Sequence, residues 1–294
     1  VSSASLKTSV PRQPPADTPS QMRPYKALVV VIADGGLDSY SALVPHSGCV
    51  NNLDQQYQTV RGQAAIPKGD LLQINVPSGT QPCTKFGLNP ALTALKDLYN
   101  DGEAILLANT GALIEPVTKA EYYAKPLGVQ LPPSLFAHNI MQRNTQSMHP
   151  QNQAAAGVLG RTVTALQDQP NGFRSKLYSM AGSLKITEGA DPVYISSGGL
   201  IRFTHSNLTE DLNNVTSTLS QSAMTETYLS TLAESLRSSE ALGDPMADVK
   251  LNTKFPGGSL GNQLQQVARV MHIRGQTQSE RDVFVIRTGG FDSH

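Results

Sequence analysis

Charge is what this chain has least of. Asp, Glu, Lys and Arg make up only 16 % of its 294 residues, and the 23 acidic side chains balance the 23 basic ones. Globular chains usually carry roughly 25 %. A neutral chain has no long-range field to draw in nucleic acid or an anionic membrane, so neither is expected as a partner. Long apolar runs are missing as well. None approaches the roughly 18 residues that a bilayer-spanning helix needs, so no transmembrane segment is expected. There is no internal repeat, and no glycine loop of phosphate-binding spacing to suggest a nucleotide. Cysteine is limited to Cys49 and Cys83.

The remaining composition describes an exported globular chain. Hydrophobic residues reach 39 %, enough for a core, and much of the polarity comes from Ser, Thr, Asn and Gln. Both cysteines lie in Gly-, Pro-, Asn- and Ser-rich sequence. Either they form a disulfide, which implies an oxidising compartment, or they are two free thiols. The triplets Asn207-Leu208-Thr209 and Asn214-Val215-Thr216 are glycosylation acceptors if the source is eukaryotic. The chain starts at Val1 rather than Met, and a removed leader is the expectation. These features together suggest a secreted, periplasmic or extracellular protein.

Residues 1–24 hold Pro11, Pro14, Pro15, Pro19 and Pro24 among Ser, Thr and Gln without an apolar period, which reads as an extended arm or linker. Residues 25–294 read as one α/β domain. Tyr25 to Ala33 is a continuous run rich in β-branched residues, as in a central strand of a mostly parallel sheet with both faces buried. Leu71 to Val76 suggests an edge strand. Asn89-Pro90 opens a helix with Leu92, Leu95, Leu98 and Tyr99 on one face, closed by Gly102. Ala104 to Ala108 is read as a second short buried strand, completing a right-handed crossover. Helices are expected from about Ala154 to Leu166, within 207–241, and from Gly261 to Ile273. Strands are expected at Pro192–Ser196 and Asp282–Arg287.

Two of the buried strands end alike. The first runs into Asp34-Gly35-Gly36-Leu37-Asp38, the last into Gly289-Gly290-Phe291-Asp292-Ser293-His294. In a parallel sheet both turns leave from the carboxyl edge, where α/β proteins bind ligands. Asp34, Asp38, Asp292 and His294 would then converge. Carboxylate oxygen with imidazole nitrogen suits a divalent metal such as zinc or manganese. Asp292 and His294, two apart, face the same way if extended. Each residue also has a plainer reading. Asp34 and Asp38 are ordinary turn or capping residues beside glycine. Asp292 and His294 are a cap and a surface imidazole. Ser41, like Ser39, follows the first turn and is either a metal-activated nucleophile or a helix cap. His138 is read as a solvated loop side chain, and His46, His149, His205 and His272 show no partner pattern.

Five segments, in order across residues 25–294, carry a resemblance: Gly35 to Pro45, Phe86 to Leu92, Leu131 to Asn139, Gly157 to Arg161 and Gly289 to His294. Together they resemble the exported proteins of the domain-of-unknown-function 1501 family, which are distantly similar to the alkaline phosphatase and sulfatase superfamily. The resemblance implies an alkaline-phosphatase-like three-layer sandwich with a metal site at the strand ends. It carries a metal-binding role to Asp38, from the Gly-Gly-x-Asp motif, and to Asp292 and His294, from the Gly-Gly-Phe-Asp-x-His motif. The chain departs from it at Ser41, where members usually have Asn, and at Asn89, where many have His. Family members continue past the last motif to a further Asp-His pair, so the chain reads as the front portion of such a domain, incomplete at its C-terminus. The expected activity is metal-dependent hydrolysis of a small phosphate or sulfate ester. The alternative is a non-catalytic extracellular surface, matrix or assembly component that binds partner proteins.

Overall fold

A computed structural model describes residues 23–77, 79–124, 128–200, 210–211, 214–215, 217 and 221–291. Its strands are β1 (Lys26–Ala33), β2 (Leu43–Ser47), β3 (Leu72–Asn75), β4 (Lys85–Leu88), β5 (Ser175–Ser179), β6 (Val193–Tyr194) and β7 (Arg281–Thr288). Its helices are α1 (Leu53–Arg61), α2 (Thr93–Asn100), α3 (Lys119–Tyr123), α4 (His138–Ser147), α5 (Val158–Gln167), α6 (Ala223–Ala247), α7 (Ser259–His272) and α8 (Arg274–Thr277). The larger sheet is parallel, in the order β1-β7-β5-β6. The smaller is antiparallel, β2-β4-β3. The fold is therefore mixed α/β with a parallel sheet, as the apolar runs lead one to expect.

β7 organises the parallel layer. Its residues Val283 to Ile286 are all buried, and alternate side chains enter opposite cores. Val283 and Val285 meet Leu177 of β5, Leu159 and Val163 of α5, and Ile186. Phe284 and Ile286 meet Val267 and Val270 of α7, Leu242 and Met246 of α6, and Tyr178. The Tyr178 and Phe284 rings, register partners across β5 and β7, stack 5.1 Å apart. Helices thus cover both faces. α5 approaches closely because a Cβ on Gly157 would meet Lys185 O at 2.1 Å and one on Gly160 would meet Glu188 O at 2.1 Å. That is a packing reason for two of the glycines in Gly157-Val158-Leu159-Gly160-Arg161.

Two strand expectations are corrected. β1 is not central: among the described residues β7 is its sole neighbour, and Leu28 and Val31 are exposed. A β-branched run reports strand propensity, and it looks the same whether one edge or both are paired. Ala104 to Ala108 is not a strand, and Ile105 and Leu107 are 80 % and 76 % exposed. Asn89 does not cap α2 directly. Its side chain accepts from Ala91 N (3.0 Å) and donates to Ser41 O (3.2 Å), and the helix starts at Thr93. Leu71 to Val76 does contain an edge strand, β3.

Cys49 and Cys83 are disulfide-bonded across a sequence separation of 34. The bond ties the approach to α1 to the lead-in of β4. Closing a loop of that length removes unfolded-state freedom worth ~3–4 kcal/mol. Replacing both cysteines by Ser is expected to lower the unfolding free energy by about that much in urea titrations. An unchanged midpoint would show that the small sheet holds without the bond.

Arg23, grouped by composition with the Pro-rich arm, is fastened into the domain. It donates through Nε (3.0 Å) and Nη2 (2.7 Å) to the buried Glu280 carboxylate and lies 3.9 Å from the Phe173 ring centroid. Arg174 N also donates to Glu280, at 3.1 Å. The Arg23 hydrogen bonds outweigh burial and hold the Glu280 carboxyl down at about 2. A carboxyl lowered on folding stabilises above its unfolded range and loses that contribution as pH falls through the folded value. Glu280→Gln is therefore expected to remove on the order of 2 kcal/mol at neutral pH. It should also flatten the decline of stability between about pH 4.5 and 2. Equal acid titrations of variant and wild type would refute this.

Candidate functional site

Residues at the carboxyl edge of the parallel sheet surround an open cleft of about 660 Å³. The strands bring the first part of it together. β1 and β7 run in register from Lys26↔Arg281 to Ala33↔Thr288, and Asp34 N continues the ladder by donating to Thr288 O at 2.9 Å. Both chains then turn at glycines with positive φ, Gly35 (80°) and Gly290 (90°), a region that L side chains enter with strain. Asp34, Gly35, Arg287, Gly289 and Gly290 therefore share one wall, with Met180 and Ala181 just past β5.

Helix starts complete the lining. His138, Asn139 and Gln142 come from the first turns of α4, and Ser259 and Gln263 from α7. Neither N-cap residue, Ala137 or Gly258, caps its helix through a side chain. The partial positive charge of two helix N-termini thus borders the cleft. Gln263 is 4 % exposed. Its amide pairs with both backbone groups of Arg287, donating to the carbonyl (2.9 Å) and accepting from the N–H (2.9 Å). It takes the place of a missing strand neighbour and locks α7 to the end of β7.

Asp34 lies where the sequence places it, but in an unexpected pairing. Its carboxylate is ion-paired with Arg287 Nε. Asp38 and Ser41 do not line the cleft. Ser41 Oγ donates to Asp38 Oδ2 at 2.7 Å, and Arg61 Nη2 binds the same oxygen. The Ser41 hydroxyl first, and the nearby Arg61 charge as well, hold the Asp38 carboxyl below its usual range. Asp292 and His294 lie outside the described residues, as does Asn207. His138, read from sequence as a loop side chain, instead begins α4 and lines the cleft. Gln263 was missed altogether, although a polar residue four before Val267 on a buried stripe was a readable signal.

Among the described residues no group of three or more His, Cys, Asp or Glu side chains is placed to hold one ion. Asp34 and Asp38 are each engaged by an arginine. The cleft lining offers a guanidinium, amide and imidazole side chains, and two helix N-termini, groups able to donate hydrogen bonds to an oxyanion.

No known protein family matches this chain, and no curated protein or solved structure is significantly similar to it.

If the cleft takes an oxyanion, Asp38→Ala and Ser41→Ala, whose side chains do not line it, are expected to leave inorganic phosphate affinity within twofold of wild type. Calorimetric titration checks this. A tenfold loss in either variant would mean that the ligand site extends to the turn after β1.

Proposed function

We propose that this protein is an exported α/β protein whose cleft takes a small phosphate or sulfate ester, on a scaffold resembling the metal-dependent ester hydrolases of the alkaline phosphatase and sulfatase superfamily. The observation that carries the reading is the cleft itself. It opens where β1 and β7 end side by side, with Arg287 in its wall and two helix starts on its rim. Ligands of α/β sheets bind at this edge, and these donors suit a tetrahedral oxyanion. The Cys49–Cys83 bond fits an oxidising compartment. Among the described residues no helix is long and apolar enough to cross a membrane.

A divalent metal, zinc or manganese, belongs to this reading through Asp292 and His294. In the sequence they come after Phe291, which follows the cleft-wall residues Gly289 and Gly290. Such an ion polarises an ester oxygen when bound. The protein's own contribution is to bind and orient the ester, with Arg287 and the helix starts holding its charged end.

A second reading, a non-catalytic extracellular assembly component on the same scaffold, draws on one observation. Asp34 and Asp38 are both neutralised by arginines. One set of measurements separates the two. The full-length protein, with any sequence that follows His294, is assayed for metal content and for release of p-nitrophenol from the phosphate and sulfate esters. The hydrolase reading expects zinc or manganese near one equivalent or more, and turnover reduced at least a hundredfold in Asp292→Ala and His294→Ala. A metal-free protein without turnover sinks the hydrolase and leaves the assembly component.

A further inference from the structure

We infer that Arg287 reads the oxyanion of the ligand, and that Asp34 is its positioning residue rather than a metal ligand. The inference rests on the ester-binding reading in that it takes the same cleft as the ligand site. It assigns roles that the motifs do not.

Three contacts fix Arg287. Its backbone N–H and carbonyl are both held by the buried Gln263 amide. Its Nε is held by Asp34, whose side chain is only 13 % exposed. The Arg287 side chain itself is 48 % exposed, and it lines the cleft. Among the described residues nothing bonds its two terminal nitrogens. A guanidinium carries one N–H on Nε and four on the terminal nitrogens, in a rigid planar fork. With Nε engaged, the fork keeps the pair of donors that matches two oxygens of a phosphate, sulfate or carboxylate. A side chain already ordered loses less freedom on binding than a mobile one, which favours Arg over the flexible point charge of Lys here.

The same geometry argues against a metal on Asp34. A cation on Asp34 would take the carboxylate's other oxygen or displace Nε–H, and in either case would sit beside the guanidinium, against like-charge repulsion. The neighbouring helix N-termini, beginning at His138 and Ser259, repel a cation and attract an anion. The carboxylate also tempers the positive charge of the wall. Removing it would strengthen anion attraction while loosening the fork, so Asp34 has to be tested by a readout other than affinity.

The experiment uses the full chain and two measurements. Inorganic phosphate and sulfate are titrated calorimetrically into wild type, Arg287→Gln and Arg287→Lys, with thermal melts confirming that each variant folds. Arg287→Gln is expected to weaken both anions at least tenfold, and Arg287→Lys to recover only a small part of that loss. Separately, the Arg287 Nε–H resonance is followed by nitrogen–proton NMR, and zinc and manganese content is measured. In Asp34→Asn the resonance should lose its protection from exchange, while metal content stays at the wild-type level. Phosphate affinity in Arg287→Gln within twofold of wild type overturns the role of Arg287 and leaves the cleft reading standing. Loss of metal from Asp34→Asn overturns the role given to Asp34. Wild type that binds neither anion overturns the cleft reading itself, and this inference with it.

Discussion

The burial of β7 on both faces is the constraint on which the parallel layer depends. Val283 and Val285 pack toward α5, and Phe284 and Ile286 toward α6 and α7. Such a strand has little freedom of register, because a one-residue slip would send each side chain into the opposite core. The alignment of β1 and β5 along it then follows. So does the position of everything that leaves the carboxyl edge: Asp34 from β1, Met180 from β5 and Arg287 to Gly290 from β7 itself. The cleft is a consequence of where these strands stop. Neighbouring parallel strands end together, their chains turn away at Gly35 and Gly290, and α4 and α7 set the depth by bringing their first turns over the gap.

How polar groups are satisfied at the end of β7 explains why the site is built from unexpected residues. A strand that outruns one neighbour, as β7 outruns β5, leaves backbone donors and acceptors to be paired on that side. At Arg287 they are taken by Gln263, a side chain from α7, at 2.9 Å in each direction. An unpaired amide or carbonyl in that buried position would cost about 1–3 kcal/mol. The pairing also fixes the backbone from which the Arg287 side chain enters the cleft. One buried amide therefore stabilises the fold and orients a side chain of the cleft wall. The opposite end of the same strand shows a comparable arrangement, with Glu280 collecting Arg23 and Arg174 N. Polar contacts thus clamp β7 at both ends while its middle is wholly apolar.

Much of this was legible in the residues, and the failures share a cause. Val283 to Ile286 could be read as a buried strand because no polar residue interrupts the run, and α5 and α7 because their apolar residues recur every three or four positions. Local pattern does not report neighbours. It could not tell that β1 is an edge, that Ala104 to Ala108 finds no partner, or that Leu43–Ser47 and Lys85–Leu88 pair into a second sheet. The same limit governs the site. The place of Asp34 at a strand end was readable, but its pairing with Arg287 depends on an ion pair 253 residues away in sequence. Asp38, marked by its motif, and Ser41 follow the same turn in sequence but do not line the cleft; Arg61 pairs with Asp38, and Asn89 donates to Ser41 O.

Motifs and chemistry therefore have to be weighed separately. Gly157 and Gly160 belong to one of the five family-like segments, yet their reason in this fold is the close passage of α5 over the backbone at 185–188. Arg161 of the same segment donates to Ser147 O at 2.9 Å and to Ala156 O, a further packing role. By contrast, Arg287 belongs to none of the five segments and stands in the cleft wall. A shared segment marks a constraint without saying which kind. Where a glycine is fully explained by steric contact, it lends no weight to an active site. Where an arginine is held by a buried amide and a carboxylate while its fork lacks a partner among the described residues, the contacts account for its position and leave the fork for the ligand that the proposal assigns to it.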